Sequence, residues 1–138
     1  MIVGCSSELG RKLVTASGDG DVMQVEALLQ QGANVNLRLP DTGTTPLIAA
    51  ARRGHISVMQ VLLDRGAEIN AVDDGVGTAL YWAVFEGQVE AAKFLLEKRA
   101  RLNCQRASAE YLLRHIRTKG SSEVEALVRQ QLALEEQS

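Results

Sequence analysis

The chain has 138 residues and a formal net charge of −2, and 46% of its residues are apolar although only 4% are aromatic. This length predicts one domain, and this apolar content is too high for a disordered chain. The nearly balanced charge argues against a chain built wholly for nucleic acid or an anionic membrane, and the few aromatic residues predict an aliphatic core.

The first residues carry no recognisable targeting signal, because only MIVG precedes Cys5. Residues 2–5, IVGC, are similar to the lipidation box of bacterial lipoproteins, but the charged and apolar regions of such a signal are missing. A remnant of one stays an alternative if the true start lies upstream. No apolar run is long enough to span a bilayer. We therefore expect an intracellular, cytoplasmic chain, with the nucleus as an alternative and no membrane partner.

Three segments align with one another along the chain, at residues 21–36, 55–70 and 88–103. Each has two leucines near its middle and ends at an asparagine, and the asparagines are 34 and then 33 residues apart. A glycine recurs with nearly the same period, at Gly20, Gly54, Gly87 and Gly120. Such a period is typical of stacked repeats, in which each unit buries its apolar face only against its neighbours.

The second unit shows the pattern of a helix pair most clearly. In TPLIAAARRGH, Thr45 can cap a helix and Pro46 suits its first turn, while Gly54 can end it with a positive φ. The next apolar positions recur near a helical period until Gly66, and a turn-rich connector follows.

This unit resembles the ankyrin repeat, with TPLIAAARRGHISVMQVLLDRGAEIN nearly unbroken and GTALYWAVFEGQVEAAKFLLEKRARLN following the same pattern. The resemblance implies an all-α solenoid of helix-turn-helix units joined by β-turn or hairpin-like connectors. We place an N-terminal cap at residues 8–40, two internal repeats at 41–73 and 74–106, and a degenerate C-terminal cap at 107–132. We expect residues 133–138 to be a frayed, solvated tail.

Neither histidine shows the spacing of a catalytic site. His55 follows the helix-ending glycine, where we expect it to bridge a helix end and loop backbone, and His115 lies in the C-terminal cap. Cys5 and Cys104 lack metal-ligand spacing, and an inert thiol is the favoured interpretation of Cys104. We expect no enzymatic activity, no cofactor and no metal.

Three carboxylates of the connectors, Asp41, Asp73 and Asp74, allow two interpretations. They could form a cation site, but DDGVGT lacks the alternating ligands of a calcium loop. We favour turn chemistry, in which Asp accepts hydrogen bonds from nearby backbone.

The resemblance also implies a binding function, since ankyrin arrays contact partners with their connector tips and the exposed face of each first helix. Alignment places the following residues on that concave face: Asp19, Asp41, Thr42, Thr44, Arg52, Arg53, Asp74, Gly75, Gly77, Phe85, Glu86, Thr118 and Lys119.

Two aromatic residues near this face leave alternatives open. Phe85 could anchor a partner beside Arg52 and Arg53, because aromatics and arginines are enriched in interface hot spots, or it could pack on the flanking connector. For Trp82 we favour packing between helices of adjacent repeats.

Residues 98–119 contain seven basic side chains and one acidic one. This region could steer an acidic partner, including nucleic acid or a phosphorylated protein, or it could be the solvated surface of the cap. We favour the second interpretation because we expect no aromatic side chains on this segment that stack on bases.

The sequence therefore predicts a monomeric adaptor, scaffold or inhibitor that binds another protein. Two alternatives are a regulatory part of a larger enzyme or effector, and a binder of an acidic or nucleic-acid partner.

Overall fold

The computed structural model describes residues 3–75, 77–103 and 106–137, and the side chains of residues 3–7 and 106–107 lie outside that description. Over these residues the chain forms eight α-helices and no strand, so the all-α prediction is confirmed. The helices are α1 (Val3–Asp19), α2 (Val22–Gln30), α3 (Pro46–Arg53), α4 (Ile56–Asp64), α5 (Ala79–Phe85), α6 (Val89–Glu97), α7 (Arg106–Thr118) and α8 (Ser122–Glu136).

Local sequence sets the ends of the first helix of each internal pair. The side-chain oxygen of Thr45 accepts from Ile48 N, Pro46 begins α3, and Gly54 ends it at φ +74°. Thr78 caps α5 in the same way by accepting from Tyr81 N. Both predicted caps of α3 are thus confirmed, because a hydroxyl satisfies one unpaired N–H and only glycine takes a positive φ without strain.

The helices pair along the chain and the pairs stack. α1 contacts α3, α3 contacts α5 and α5 contacts α7, so the first helices of the pairs form one layer. The second helices α2, α4 and α6 contact one another in the same order and form the other layer. The repeat boundaries given above stay predictions.

The core between the two layers is aliphatic, as predicted. Its fully buried large side chains are Leu13, Leu28, Leu47, Ile48, Met59, Leu62, Leu80, Leu95, Leu102, Leu112, Val25 and Val58. Buried alanines of α3, α5 and α6 allow the helices to approach closely.

Asparagine side chains tie successive connectors together. Asn36 Oδ1 accepts from Glu68 N at 2.8 Å, and Asn36 Nδ2 donates to Gly66 O at 3.1 Å. One repeat later, Asn70 Oδ1 accepts from Arg101 N at 2.8 Å. The asparagine that recurs in the sequence is therefore a structural residue, because it satisfies backbone groups of the next connector.

The C-terminal residues differ from the predicted frayed tail. Helix α8 continues to Glu136, and Glu135 accepts from Leu102 N at 2.6 Å and from Asn103 N at 3.2 Å. Gln131 Nε2 also donates to Ala100 O at 3.3 Å. Residues 133–136 are helical because this end of α8 completes the hydrogen bonding of the preceding connector.

Candidate protein-binding surface

The exposed sides of α3, α5 and α7 form one surface, which we call the inner-helix surface. The opposite side of α5 is buried through Leu80, Ala83 and Val84, so the helical period turns its remaining side chains outward. The side chains of the inner-helix surface are Arg52, Arg53, Trp82, Phe85, Glu86, Tyr111, His115 and Lys119.

Arg52 connects α3 with α5 on this surface. Its Nη2 donates to Glu86 Oε1 at 3.2 Å, and its guanidinium carbon lies 4.5 Å from the centroid of the Trp82 ring. An exposed ion pair of this kind adds little stability by itself, but the cation–π contact keeps the guanidinium over the indole. The charge of Arg52, which we expected to face a partner, is bonded within the chain.

Trp82 is half-buried and packs under Arg52 of α3, which agrees with the predicted packing between adjacent repeats. Its Nε1 donates to Asp73 Oδ2 at 2.7 Å. The other oxygen, Asp73 Oδ1, accepts from Gly75 N at 3.0 Å and from Gly77 N at 2.8 Å. The carboxylate of Asp73 therefore has the turn role that we favoured over a cation site.

Gly77 is buried, so its predicted placement on the exposed surface is wrong; whether it contacts a partner stays a prediction. A Cβ at this position would collide with Trp82 Nε1. The alignment identified the position as a connector tip, but the turn closed by Asp73 folds it beneath the indole. Gly75, two residues earlier, is exposed.

The other predicted connector residues lie at neighbouring tips. Asp41 and Thr42 are exposed, and Thr44 is half-buried with its hydroxyl 2.8 Å from that of Thr42. Asp74 N donates to Thr42 O at 3.0 Å, and Asp74 Oδ1 accepts from Arg38 Nη2 at 3.0 Å. The structure thus brings the tips of two successive connectors together, and Asp74 already has a cationic partner.

Phe85 is half-buried because side chains of α7 cover it. The imidazole of His115 lies parallel to its ring, with centroids 3.9 Å apart, and Tyr111 lies beyond at 6.4 Å. Tyr81 of its own helix stacks at 6.1 Å. These ring contacts come from α5 and α7; whether Phe85 also packs on the flanking connector or contacts a partner protein stays a prediction.

The contact between Phe85 and His115 belongs to a series that runs along the array. At each junction between repeats, one residue lies two positions before the recurring glycine of its own repeat. It faces a residue that lies five positions before the recurring glycine of the next repeat. Arg52 over Trp82 and Phe85 on His115 are two examples. At the first junction a Cβ placed on Gly18 would lie 3.8 Å from the Cβ of Ala49. The junctions therefore share one geometry, and the side chains differ in size and charge.

Backbone carbonyls form a parallel series. His55 Nε2 lies 3.0 Å from Gly18 O, and Gln88 Nε2 donates to Arg52 O at 3.2 Å. At the third junction His115 Nε2 lies 3.1 Å from Phe85 O. The predicted bridging role of His55 is confirmed, because each junction needs a donor for a carbonyl in the last turn of a helix.

The remaining predicted residues form the rim of the inner-helix surface. Arg53 is exposed and has no ion pair within the described part of the chain. Lys119 Nζ reaches Phe85 O at 3.5 Å, and Thr118 Oγ1 donates to His115 O at 2.6 Å. Asp19 is exposed at the end of α1. Arg53 and Lys119 therefore present positive charge that no carboxylate of the described residues neutralises.

A groove of about 530 Å³ lies among α1, α3 and α5 on this side of the array. It contains five of the residues above or their neighbours: Thr44, Arg52, Arg53, Glu86 and Gln88. The groove joins the connector tip at Thr44 to the arginines at the end of α3, so a single extended segment could contact both.

The basic region of residues 98–119 is partly neutralised by α8. Arg117 Nε donates to Glu125 Oε1 at 2.9 Å, and Arg129 Nη2 donates to the same oxygen at 2.8 Å. These hydrogen bonds hold the pKa of the Glu125 carboxyl below its ordinary value of 4.5. This arrangement supports the interpretation of the region as a solvated cap.

Among the described residues, no group of three or more His, Cys, Asp or Glu side chains is arranged to hold a metal ion. Likewise, none of the helices in the described chain is long and apolar enough to cross a membrane. Cys104 lies outside the described residues, as does the side chain of Cys5.

Sequence reasoning missed Tyr111, whose exposed fraction of 58% is the largest of the aromatic side chains on this surface. The family alignment gave α7 a degenerate pattern and so assigned this position no role. A signal was present, because Tyr111 and His115 are four residues apart and share one face of a helix.

The fold and surface define a class: a helical repeat protein whose stacked pairs present a continuous polar and aromatic surface. Residues 13–106 match the family model described as ankyrin repeats in three copies. The chain belongs to the ankyrin-repeat family.

Similar proteins carry this region as a small part of a longer chain. The match to "Ankyrin repeat and KH domain-containing protein mask-1" of Caenorhabditis elegans is 36% identical and covers 67% of this chain but 4% of that protein. "Probable E3 ubiquitin-protein ligase XBOS33" of Oryza sativa subsp. japonica is 33% identical over 80% of this chain and 20% of its own length. Human "Neurogenic locus notch homolog protein 1" is 35% identical over 70% of this chain and 4% of that protein.

Proposed function

We propose that this chain is a non-enzymatic module that binds another protein through the inner-helix surface and the adjoining connector tips. It acts as an adaptor, scaffold or inhibitor, as a monomer in the cytoplasm or the nucleus. Ankyrin repeats are in general protein-interaction modules, which supports the class of function. The fold alone does not specify the partner, so the argument depends on the surface.

The observation that carries the proposal is the exposure of Tyr111 and Arg53 on one surface. Tyr111 is 58% exposed, and Arg53 is exposed without an ion pair among the described residues. Neither residue is needed to bury the core, and Tyr and Arg are the residue types that dominate interface energetics. Surface residues that serve stacking, such as Arg52, are instead engaged within the chain.

The test is affinity capture from the native cell extract with a double variant, Arg53→Glu with Tyr111→Ser. We expect this variant to lose the captured protein while its far-UV circular dichroism and melting temperature stay close to wild type. A matched control is Arg65→Glu with Leu134→Ser, which makes the same charge change at an exposed arginine of the other layer and removes a side chain that is 54% exposed. Undiminished capture by Arg53→Glu with Tyr111→Ser would show that the inner-helix surface is not the binding surface.

A second candidate is a regulatory segment of a larger enzyme or effector. The observation that favours it is that the chain spans between 4% and 20% of the relatives described above. Immunoblotting of native extract with an antibody against residues 8–40 distinguishes the two: a band near 14.9 kDa supports the free-standing module, and a much larger band supports the segment.

A further inference from the structure

We propose that the inner-helix surface recognises an extended acidic peptide segment in which two carboxylates flank one apolar side chain. The carboxylates bind Arg53 and Lys119, and the apolar side chain lies against Trp82, Phe85 and Tyr111. The inference rests on the proposed function, to which it adds the chemistry of the partner.

The acidic groups that touch the aromatic cluster are already bonded within the chain. Glu86 accepts from Arg52, and the buried carboxylate of Asp73 accepts from the Trp82 indole. By contrast, neither Arg53 nor Lys119 has a carboxylate partner among the described residues. The aromatic cluster therefore lies between two uncompensated cations, and a segment with two carboxylates complements it.

The aromatic cluster itself fits an apolar side chain. Trp82 and Phe85 are half-buried and contact each other edge to face at 5.4 Å, while the ring of Tyr111 is mostly exposed. Rings fixed in this way expose apolar area and lose little further conformational entropy on binding. Arg52 and His115 hold two of these rings in place, so the platform exists before the partner arrives.

The two cations set the length of the segment. Arg53 ends α3, Lys119 directly follows α7, and α5 lies between these helices. Packed helices lie about 8–10 Å apart, so two such steps span roughly 16–20 Å. An extended chain rises about 3.3 Å per residue, so the carboxylates should be about five or six residues apart with the apolar residue midway.

A nucleic acid fits this surface less well than a peptide does. The residues directly before the four recurring glycines are Asp19, Arg53, Glu86 and Lys119. The sign of the side-chain charge at this position therefore alternates from one repeat to the next. A phosphate backbone requires an uninterrupted set of cations, and the whole chain has a net charge of −2. Alternating signs favour a ligand whose own charges are discrete and spaced.

The experiment uses Trp82, the single tryptophan of the chain, as its reporter. The full chain is titrated with a synthetic peptide that has two glutamates six positions apart and a leucine midway, with prolines beside the leucine to keep it extended. We expect a saturable change in Trp82 fluorescence that weakens with added salt. Arg53→Glu and Lys119→Glu should each weaken binding at least tenfold, and Arg65→Glu should leave it unchanged.

Four results would overturn the proposal. One is the absence of a saturable fluorescence change at millimolar peptide, and another is tighter binding of a single-stranded DNA oligonucleotide of about 20 nucleotides. The other two are equal binding of a peptide with lysines in place of the glutamates, and equal binding of a peptide with glycine in place of leucine. Failure of the peptide titration leaves the capture experiment intact. A chain that captures a protein through Arg53 and Tyr111 but ignores the peptide binds a partner of other chemistry, and only the present inference is then wrong.

Discussion

The imidazole of His115 lies flat on the ring of Phe85, with centroids 3.9 Å and planes 1° apart, while His115 Nε2 lies 3.1 Å from Phe85 O. One residue of α7 thus contacts both the side chain and the backbone of one residue of α5. This double contact fastens the C-terminal helix pair to the rest of the array. It also explains why Phe85, in a position that the repeat pattern leaves exposed, is half-buried.

We expect the stabilities of Phe85→Ala and His115→Ala to be coupled. Each variant removes the same stacking contact, and such aromatic pairs contribute about 0.5–1.5 kcal/mol beyond area burial. A double-mutant cycle measured by urea unfolding should therefore give a coupling free energy in this range. Additivity of the two single losses within about 0.3 kcal/mol would show that the stacking adds nothing.

We expect His55→Gln to retain most of the stability that His55→Ala loses. Gln88 makes the equivalent contact at the next junction, where its amide donates to Arg52 O at 3.2 Å. Loss of the donor to Gly18 O should lower the free energy of unfolding by about 1 kcal/mol. Thermal and urea unfolding of the two variants measure the difference, and equal losses would mean that ring packing of His55 matters more than its hydrogen bond.

We expect Gly54→Ala to destabilise the chain more than Gly87→Ala. Both glycines have positive φ, +74° and +80°, so each substitution should cost about 1 kcal/mol in backbone strain. At Gly54, but not at Gly87, the new Cβ would also lie 2.6 Å from a side-chain atom, Gln88 Oε1. This contact would force the Gln88 side chain away from Arg52 O.

The background variant Gln88→Ala separates these two causes. In it, Gly54→Ala should destabilise no more than Gly87→Ala does in the wild-type chain, because the side chain that must move is absent. If the excess loss persists in this background, contact with Gln88 is not its source.

We expect Glu125→Gln to lower the melting temperature at pH 7 and to have a smaller effect at about pH 2.5. Hydrogen bonds from Arg129 and Arg117 place the pKa of Glu125 in the folded chain below its unfolded value. The ionised carboxylate therefore stabilises the fold at pH values above the unfolded pKa, and this contribution is lost as the pH falls through the folded pKa. Melting curves across this range test the sign.

Glu97→Gln is the control for this pH series, since Glu97 is exposed and has no ion pair in the described ranges. It should shift the melting temperature little at either pH. A difference between wild type and Glu125→Gln that grows on acidification would contradict the assigned direction.

The sequence by itself determined the repeat, the all-α class and the local chemistry of the helix ends. Thr45 and Gly54 could be assigned because a cap acts within a few residues of the chain, so its signal is local. The aliphatic core could be predicted because only 4% of the residues are aromatic. The structural role of His55 could be predicted because its position recurs in every unit.

The tertiary structure decided which of the surface residues are available to a partner. Arg52 is bonded to Glu86 and lies over Trp82, Gly77 is buried beneath the same indole, and Glu135 belongs to a helix that completes the preceding connector. The contacts of Arg52 and Glu135 join residues 34 and 33 positions apart, in successive repeats, whereas Gly77 lies under Trp82 of its own repeat. A repeat pattern fixes the backbone geometry of every junction, whereas the size and charge of the two side chains that meet there decide which of them remains exposed.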